Sequence, residues 1–549
     1  MPTSKPLIGH SALFLGNNQQ IYKNLWTIAE LALKHKNSAK VWLGPKLYVA
    51  IADPADAQVV LENCLDKDMV YRFLRPWLGH GLFVAPVNLW KSHRRVLLPV
   101  FQNKVVKEYL EVINEQVNVL LQRLNEQTDK KEFDILKYVT ACTLDIVFQT
   151  AMGERMDVQN SPDTPYLRAR HTVMTILNMR LFKVWLQPDW IFNLTRYAKL
   201  QKDNIDLTHK FTDEIVRKRR QEYQNNLTKK HQDNKFHAVL DLLFKQEIDF
   251  TDEQLREHID SITIAGNDTT ALVIAYTLVL LGIHQDAQEK VSEEQRSIFG
   301  TSTCGANKWD LQKMDYLERV IKESMRLYTV VPIIARNVDK DIYLPTCGVT
   351  VPAGSGAVIG AFALHRSESS WGPEPHKFDP DRFLPEKSVN RHPAAFMPFS
   401  YGSRNCIGRK FGMLIMKSII SSVVRTYKLD ADDIATCGVT VPAGSGAVIG
   451  AFALHRSESS WGPEPHKFDP DRFLPEKSVN RHPAAFMPFS YGSRNCIGRK
   501  FGMLIMKSII SSVVRTYKLD ADDIGDLKVE MLLFPIKGHQ VKISRRLNV

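Results

Sequence analysis

Residues 398–410 read Pro398-Phe-Ser-Tyr-Gly-Ser-Arg-Asn-Cys-Ile-Gly-Arg-Lys410, and the same run returns at Pro488–Lys500. Cys406 stands between Gly402 and Gly408 in a loop that leads directly into a helix-forming run, Phe411 to Tyr427. Glycines let backbone N–H groups approach the sulfur, and a following helix N-terminus with Arg404, Arg409 and Lys410 nearby favours the thiolate. A cysteine in this setting is a metal ligand or a nucleophile. Nucleophilic catalysis asks for a paired histidine, and no local histidine fills that role. Cys64 and Cys142 read instead as ordinary buried thiols.

Working outward, the loop lies inside a longer repeat. Thr346–Ile434 recurs without substitution as Thr436–Ile524, at an offset of 90 in a chain of 549 residues, which leaves about 459 residues of distinct sequence. Stacked repeat proteins need three or more units with atypical ends, so two identical copies are not a solenoid. They are a recent duplication or an error of gene assembly. Each copy carries 11 Lys and Arg against 8 Asp and Glu, so one copy fewer lowers the net charge from +12 to +9. The charge is scattered except at Lys218–Lys235, and this pattern reads as a solvated surface, with no nucleic-acid partner expected. Hydrophobic residues make up 44% and charged residues 24%, which excludes disordered and fibrous classes. Of the seven cysteines, Cys437 and Cys496 repeat Cys347 and Cys406, and no spacing suggests a disulfide framework, so a reducing compartment is expected.

Periodicity gives the rest of the organisation. Leu110, Ile113, Val117, Leu121 and Leu124 step by three and four from Val106 onward, marking a helix with one buried face. Thr251-Asp-Glu-Gln254 is a capping box opening a helix that can run to His284, about 50 Å at 1.5 Å per residue. Its apolar stretch Ala271–Ile283 is too short to span a membrane and reads as core. A second helix is expected over Leu311–Tyr328, stopping before Val331-Pro332. Lys40–Ile51 and Glu530–Phe534 read as short strands. The N-terminal run MPTSKPLIGHSALF is too short and interrupted for a signal peptide or an anchor. No linker divides the chain, so the fold class expected is mainly α with small β-sheets, in one large domain.

With these residues in place, Phe399, Gly402, Arg404, Cys406 and Gly408 resemble the F-x-x-G-x-R-x-C-x-G haem loop of the cytochromes P450, repeated as Phe489, Gly492, Arg494, Cys496 and Gly498. Further motifs follow in the family's order. Ala265-Gly-Asn-Asp-Thr-Thr270 resembles the oxygen-activation motif, Glu323-x-x-Arg326 the E-x-x-R pair, and Trp90-Lys-Ser-His-Arg94 the W-x-x-x-R of an early helix. Lys377–Phe383, repeated at Lys467–Phe473, resembles the segment whose arginine, Arg382 or Arg472, completes the E-R-R triad. The wording is closest to the family-four clan, many of whose members hydroxylate fatty acids or xenobiotics.

The resemblance implies a P450 fold and a haem-thiolate monooxygenase that inserts one atom of O2 into an apolar small molecule such as a fatty acid, hormone-like lipid or xenobiotic. The cofactor implied is haem b, non-covalent apart from the bond from iron to Cys406 or Cys496, since Ala265 stands where ester-linked members carry glutamate. Asp268 and Thr269 are the implied catalytic pair for protons; Trp90, Arg94, Arg336 and Arg404 are candidates for the haem propionates. Electrons would come from NADPH-cytochrome P450 reductase docked near Arg409 and Lys410, with cytochrome b5 as an optional second donor, at the cytosolic face of the endoplasmic reticulum membrane. The alternatives are a P450-like peroxide isomerase or dehydratase, which the Asp-Thr pair argues against, and a catalytically dead haem- or ligand-binding protein. One fold needs one thiolate, so the expected arrangement is a domain over 1–435 using the first copy, a surplus block at 436–525 that lowers solubility, and C-terminal strands at 526–549.

Overall fold

The computed structural model describes residues 9–14, 18–35, 37–101, 103–128, 133–228, 237–246, 250–430, 469–474, 498–521, 527–529 and 533–546. The periodic segment forms the helix Asn103–Asn125, with Leu110, Ile113, Val117 and Leu124 buried and Leu121 half-buried. The capping box forms as expected: Thr251 Oγ1 accepts from Gln254 N at 3.2 Å, and Gln254 Oε1 accepts from Thr251 N at 3.1 Å. Both orphan donors at the helix start are thereby satisfied. The central helix then runs over Asp252–Ile283 and is buried continuously from Thr270 to Gly282. Among the described residues it is the one helix long and apolar enough to cross a membrane, but 72% of its most apolar window is buried inside the protein, as in a core helix.

The expected helix Leu311–Tyr328 is instead two, Lys308–Lys313 and Asp315–Leu327, separated at Met314 with ψ 72°. The cause lies in the neighbouring helix Gln285–Phe299. Its Glu294 carboxylate accepts from Tyr316 N at 2.6 Å and Leu317 N at 3.0 Å, capping the second helix from outside. The expected strand Lys40–Ile51 is a hairpin, Ser38–Leu43 with Lys46–Ile51, turning at Gly44 with φ +58°. Lys46–Ile51 pairs parallel with Gly356–Gly360, which pairs antiparallel with Ile333–Asn337. This sheet carries one core, with Val49, Ile51 and Ile359 buried; the main core surrounds the central helix and the helix after the Cys loop. At the C-terminus the described strands are Leu527–Val529, Leu533–Pro535 and Gln540–Arg545; the remainder of the expected strand Glu530–Phe534 lies outside the described residues.

The Cys-loop helix spans Arg409–Val424, and Arg425–Asp430 is a strand rather than the helix end expected through Tyr427. Pairing with Gln540–Arg545 overrides helix propensity there. The second copy supplies an equivalent helix, Arg499–Thr516, and strand, Tyr517–Asp520, directed to the same place: Ile543 faces both Leu429 and Leu519 in one register.

Burial raises the Glu294 carboxyl from its ordinary 4.5 to about 7 despite the two N–H donors. The folded state therefore binds more protons than the unfolded chain between these values, and this group's contribution to stability declines as pH rises through that window. Glu294→Gln keeps an accepting oxygen and should flatten that part of the pH–stability curve, whereas Glu294→Ala should lose about 1 kcal/mol of cap stabilisation, both read from urea unfolding between pH 5 and 8.

Candidate active site

The loop before the Cys-loop helix is held by its own backbone. Cys406 N donates to the Phe399 carbonyl at 3.0 Å, Ser400 N to Met397 O at 3.0 Å and Asn405 N to Gly402 O at 3.2 Å. The folding-back puts Ser400 at φ +64° and Gly402 at φ +73°. A Cβ at Gly402 would strike the Leu61 carbonyl, so glycine lets this loop lie against the end of the helix Pro54–Asn63. Cys406 is half-buried, two residues before Gly408, the N-cap of the following helix, so its sulfur lies near the positive end of that helix. Cys64 and Cys142 are fully buried, and burial raises the Cys64 thiol to about 11 and Cys142 well above its usual value. They are inert, as the sequence indicates. Phe489, Gly492, Arg494 and Cys496 lie outside the described residues; Gly498 is the N-cap of the copied helix.

Arg94, on the helix Val87–Leu97, grips the loop: Nη1 donates to Asn405 O at 2.9 Å and Nη2 to Asn405 Oδ1 at 3.1 Å. Arg404 Nη2 donates to the Ala85 carbonyl at 2.5 Å. Trp90 lies beside both guanidinium groups, 5.7 Å from Arg94 and 5.1 Å from Arg404. Arg336, from the strand Ile333–Asn337, donates to Ala335 O at 3.1 Å. Thus Trp90, Arg94 and Arg404 come together as the sequence suggests, and Arg336 acts electrostatically on Arg404.

Burial and mutual repulsion pull these cations down. Arg404 falls to about 9 through burial and Arg336, and Arg94 falls through burial and Arg404. Lys67, which sequence reasoning missed, is lowered by burial, then Arg404 and Arg336; it lies 3.5 Å from the Phe83 ring. Arg404 Nε and Nη1 and Arg336 Nε are buried without an acceptor among the described residues. Buried cations with orphaned donors fit a site for a dianionic ligand, which is what two haem propionates supply. The donor set fits the cofactor.

Beneath the loop, the E-x-x-R pair is fully buried and bidentate: Arg326 Nε to Glu323 Oε2 at 2.7 Å and Nη2 to Oε1 at 2.6 Å. Arg326 also donates to the carbonyls of His365, Pro375 and Lys377, while Glu323 Oε1 accepts from Asp379 N at 2.8 Å. Burial pushes Glu323 up to about 7 and Arg326 down to about 10, with each partner drawing the other back toward its charged form. Arg382 donates to Trp371 O at 2.7 Å and Glu374 O at 3.3 Å, and its counterpart Arg472 binds Asp379.

On the central helix, Asp268 Oδ2 meets Arg170 of the helix Pro165–Phe182 at 2.6 Å and Asp268 Oδ1 accepts from Asn267 Nδ2 at 3.1 Å. Thr269 Oγ1 donates to the Ala265 carbonyl at 2.7 Å. Arg170 was not singled out from sequence. The available signal was an arginine on an otherwise apolar stripe with Tyr166, Ala169, Val173 and Leu177. Ala265 is exposed although the helix is otherwise largely buried, so one face of the helix is open beside the Asp-Thr pair. Arg409, expected on an exposed basic face, is 7% exposed; Lys410 is exposed, as are Lys91 and Arg95 on the helix that grips the loop. Of the two expected basic points, Lys410 is therefore the accessible one and Arg409 is set into the protein.

A cysteine just before a helix N-terminus, beside a cluster of buried arginines, is the arrangement that a haem-thiolate site requires. The Cytochrome P450 family model matches residues 5–436 and again 431–543, so the chain belongs to the cytochrome P450 family. It is 37% identical to cytochrome P450 4c3 of Drosophila melanogaster over 79% of this chain and 84% of that protein. Cytochrome P450 4V2 of Homo sapiens is 34% identical, with 78% and 83% covered. The crystal structure of the cytochrome P450DA heme domain superposes with TM-score 0.70 at 17% identity, over 100% of this chain and 97% of that one, a likeness of fold. The protein is a family-four type P450 monooxygenase that binds haem b through a cysteine–iron bond.

If the cation cluster is built for propionates, its charges should repel one another in the haem-free protein and be neutralised in the holoprotein. Arg404→Met is expected to raise the melting temperature of the haem-free chain while weakening haem binding about 10- to 100-fold, the scale of one or two charged hydrogen bonds. Opposite signs in the two measurements distinguish cofactor binding from a packing role.

Proposed function

We propose that the chain hydroxylates an apolar, membrane-soluble small molecule of the fatty-acid or lipid-like kind, with Cys406 as the residue that would hold the haem and electrons from NADPH-cytochrome P450 reductase, cytochrome b5 serving as a second donor. The observation that carries this reading is the open face of the central helix at Ala265, with Asp268 and Thr269 beside it and an apolar cluster that takes in the adjacent Ile264. That cluster joins Phe73, Leu74, Trp77, Val173 and Leu177 to Ile264 of the central helix. A surface of this composition binds hydrocarbon by excluding water and offers few polar groups for anything else.

When bound, a haem held by a cysteine thiolate would supply the reductive activation of dioxygen. The protein's share is protons and exclusion of water. Asp268, paired with Arg170, is 19% exposed at its side chain, so it can be reached from solvent. Rotation of Asp268 away from Arg170 would carry a proton inward along the helix, where Thr269 Oγ1 can release the Ala265 carbonyl and pass it on. Trp90, Arg94, Arg336 and Arg404 hold the propionates, and Glu323, Arg326, Arg382 and Arg472 keep the loop in place.

Two surfaces support the partners. Lys91, Arg95 and Lys410 form exposed positive points that suit an acidic reductase face. Between the helices Pro165–Phe182 and Arg196–Thr228, Trp185, Trp190 and Leu194 are 46%, 70% and 82% exposed, and Lys183, Arg196 and Lys199 lie close by in sequence. Exposed aromatics with flanking cations suit the headgroup layer of a membrane, here the cytosolic face of the endoplasmic reticulum.

With NADPH, reductase and a medium-chain fatty acid, one atom of labelled dioxygen should appear in a hydroxylated product; the peroxide-isomerase reading would instead give a rearranged peroxide without NADPH. Asp268→Asn is expected to lower turnover about 100-fold, the scale of a lost proton-transfer group, with the thiolate band of the reduced carbon monoxide complex unchanged and an enlarged solvent isotope effect. Trp190→Ser with Leu194→Ser should weaken sedimentation with anionic vesicles by about tenfold or more, without changing turnover of a water-soluble substrate.

A further inference from the structure

Two histidines meet between the helix Val87–Leu97 and the central helix. His93 and His258 are 6% and 1% exposed, with ring centroids 4.8 Å apart and planes at 85°. The Phe250 ring packs edge-on against both, at 5.3 and 5.2 Å. A neutral imidazole carries one N–H donor and one lone pair. Both nitrogens of His258 and Nδ1 of His93 are nevertheless buried without a hydrogen-bond partner among the described residues, as is Ser261 Oγ one turn further along the central helix. Buried polar atoms are rarely left without a partner, so several of them gathered at one junction mark a place for a ligand. The loop Gly79–Ala85 packs on this same turn, where the Glu257 carbonyl and Ser261 Oγ leave no room for a Cβ at Gly81. His80, exposed on that loop, acts electrostatically on His93, so the pair lies close beneath the surface. His258 falls to about 3 through burial and then His93, and His93 falls through burial and then His80. Both rings are thereby held neutral, the form in which imidazole binds a metal.

We infer that His93 and His258 form a site for a divalent first-row transition-metal ion of the zinc and copper class, each ring giving one nitrogen and water filling the remaining positions. Imidazole suits these ions, which accept mixed nitrogen and oxygen donors. Two imidazole nitrogens about 2.0 Å from one ion at a tetrahedral angle put their ring centroids about 5 Å apart. The observed 4.8 Å is close to that spacing. Coordination fixes the direction of each lone pair and leaves rotation about it free, so ring planes at 85° are compatible with a shared ion. Ser261 Oγ, one turn from His258, can take a hydrogen bond from a bound water or a remaining ring N–H, the kind of outer contact that steadies a metal site. An ion here ties the helix that carries Arg94 to the central helix. The site is separate from the Cys406 loop and stands whether or not that loop holds haem.

Copper(II) alone, added at one equivalent to the full-length protein, reports the donor set directly. With the exposed thiol removed by Cys304→Ser, its electron paramagnetic resonance spectrum should carry splitting from two imidazole nitrogens. Zinc(II) alone should raise the melting temperature of the same protein, and its affinity should fall about tenfold or more in His93→Gln, at least the loss seen for an outer-sphere partner. His258→Phe fills the aromatic space without the two orphaned nitrogens, so it should melt cooperatively without metal and lose both the copper splitting and the zinc shift. A copper spectrum lacking two nitrogens, including the thiolate type that Cys406 without haem would give, overturns the site. So do zinc affinities and melting shifts that are equal in the unaltered protein and in either histidine variant. Should His258→Phe fail to fold, the copper spectrum of the protein with both histidines still decides.

Discussion

The buried pair between Glu323 and Arg326 is the interaction on which the site depends. Alone, two charges removed from water would cost more than their attraction returns. Here every remaining donor has work elsewhere: Arg326 takes three carbonyls from 365–377, and Glu323 takes the amide of Asp379. The helix Asp315–Leu327 is thereby bolted to a stretch whose regular structure is limited to the short helix Glu368–Trp371. From that stretch the chain proceeds to Met397 and the folded-back loop at Cys406. The pair's role is to hold this largely irregular stretch in one conformation, which a hydrophobic contact of the same size would do with less directional control.

Around this anchor, the cysteine loop and the Arg170–Asp268 pair draw on elements far apart in sequence. Arg94 reaches 311 positions along the chain to hold Asn405, and Arg170 and Asp268 join two crossing helices. Glu323 is sealed from solvent in its pair with Arg326, whereas Asp268, paired with Arg170, is only half-buried and so sits in a contact that can open.

Much of this was legible in the sequence, and for a physical reason: a thiolate ligand, a tight turn at φ > 0 and a helix cap each tolerate few residue types, so their spacing is informative. The Cys loop, the capping box at Thr251 and the amphipathic stripe from Leu110 to Leu124 are local in this sense. What escaped was made by partners distant in sequence. The break at Met314 depends on Glu294, the strand at Arg425 depends on Gln540–Arg545, and the burial of Arg409 depends on packing that no window around it reveals. Lys67 and Arg170 escaped because a single cation carries no spacing; only its placement among apolar neighbours gives it meaning.

The cluster of Lys67, Arg94, Arg336 and Arg404 has a consequence beyond the pocket itself. Until an anion enters, the fold encloses positive charges that repel one another, so the cofactor is part of what holds the chain together as well as what it uses. Ligand binding to the native state alone raises its population by mass action. The steady-state amount of this protein in a cell should therefore follow haem supply as closely as it follows transcription, with newly made chains that fail to capture haem cleared as unfolded.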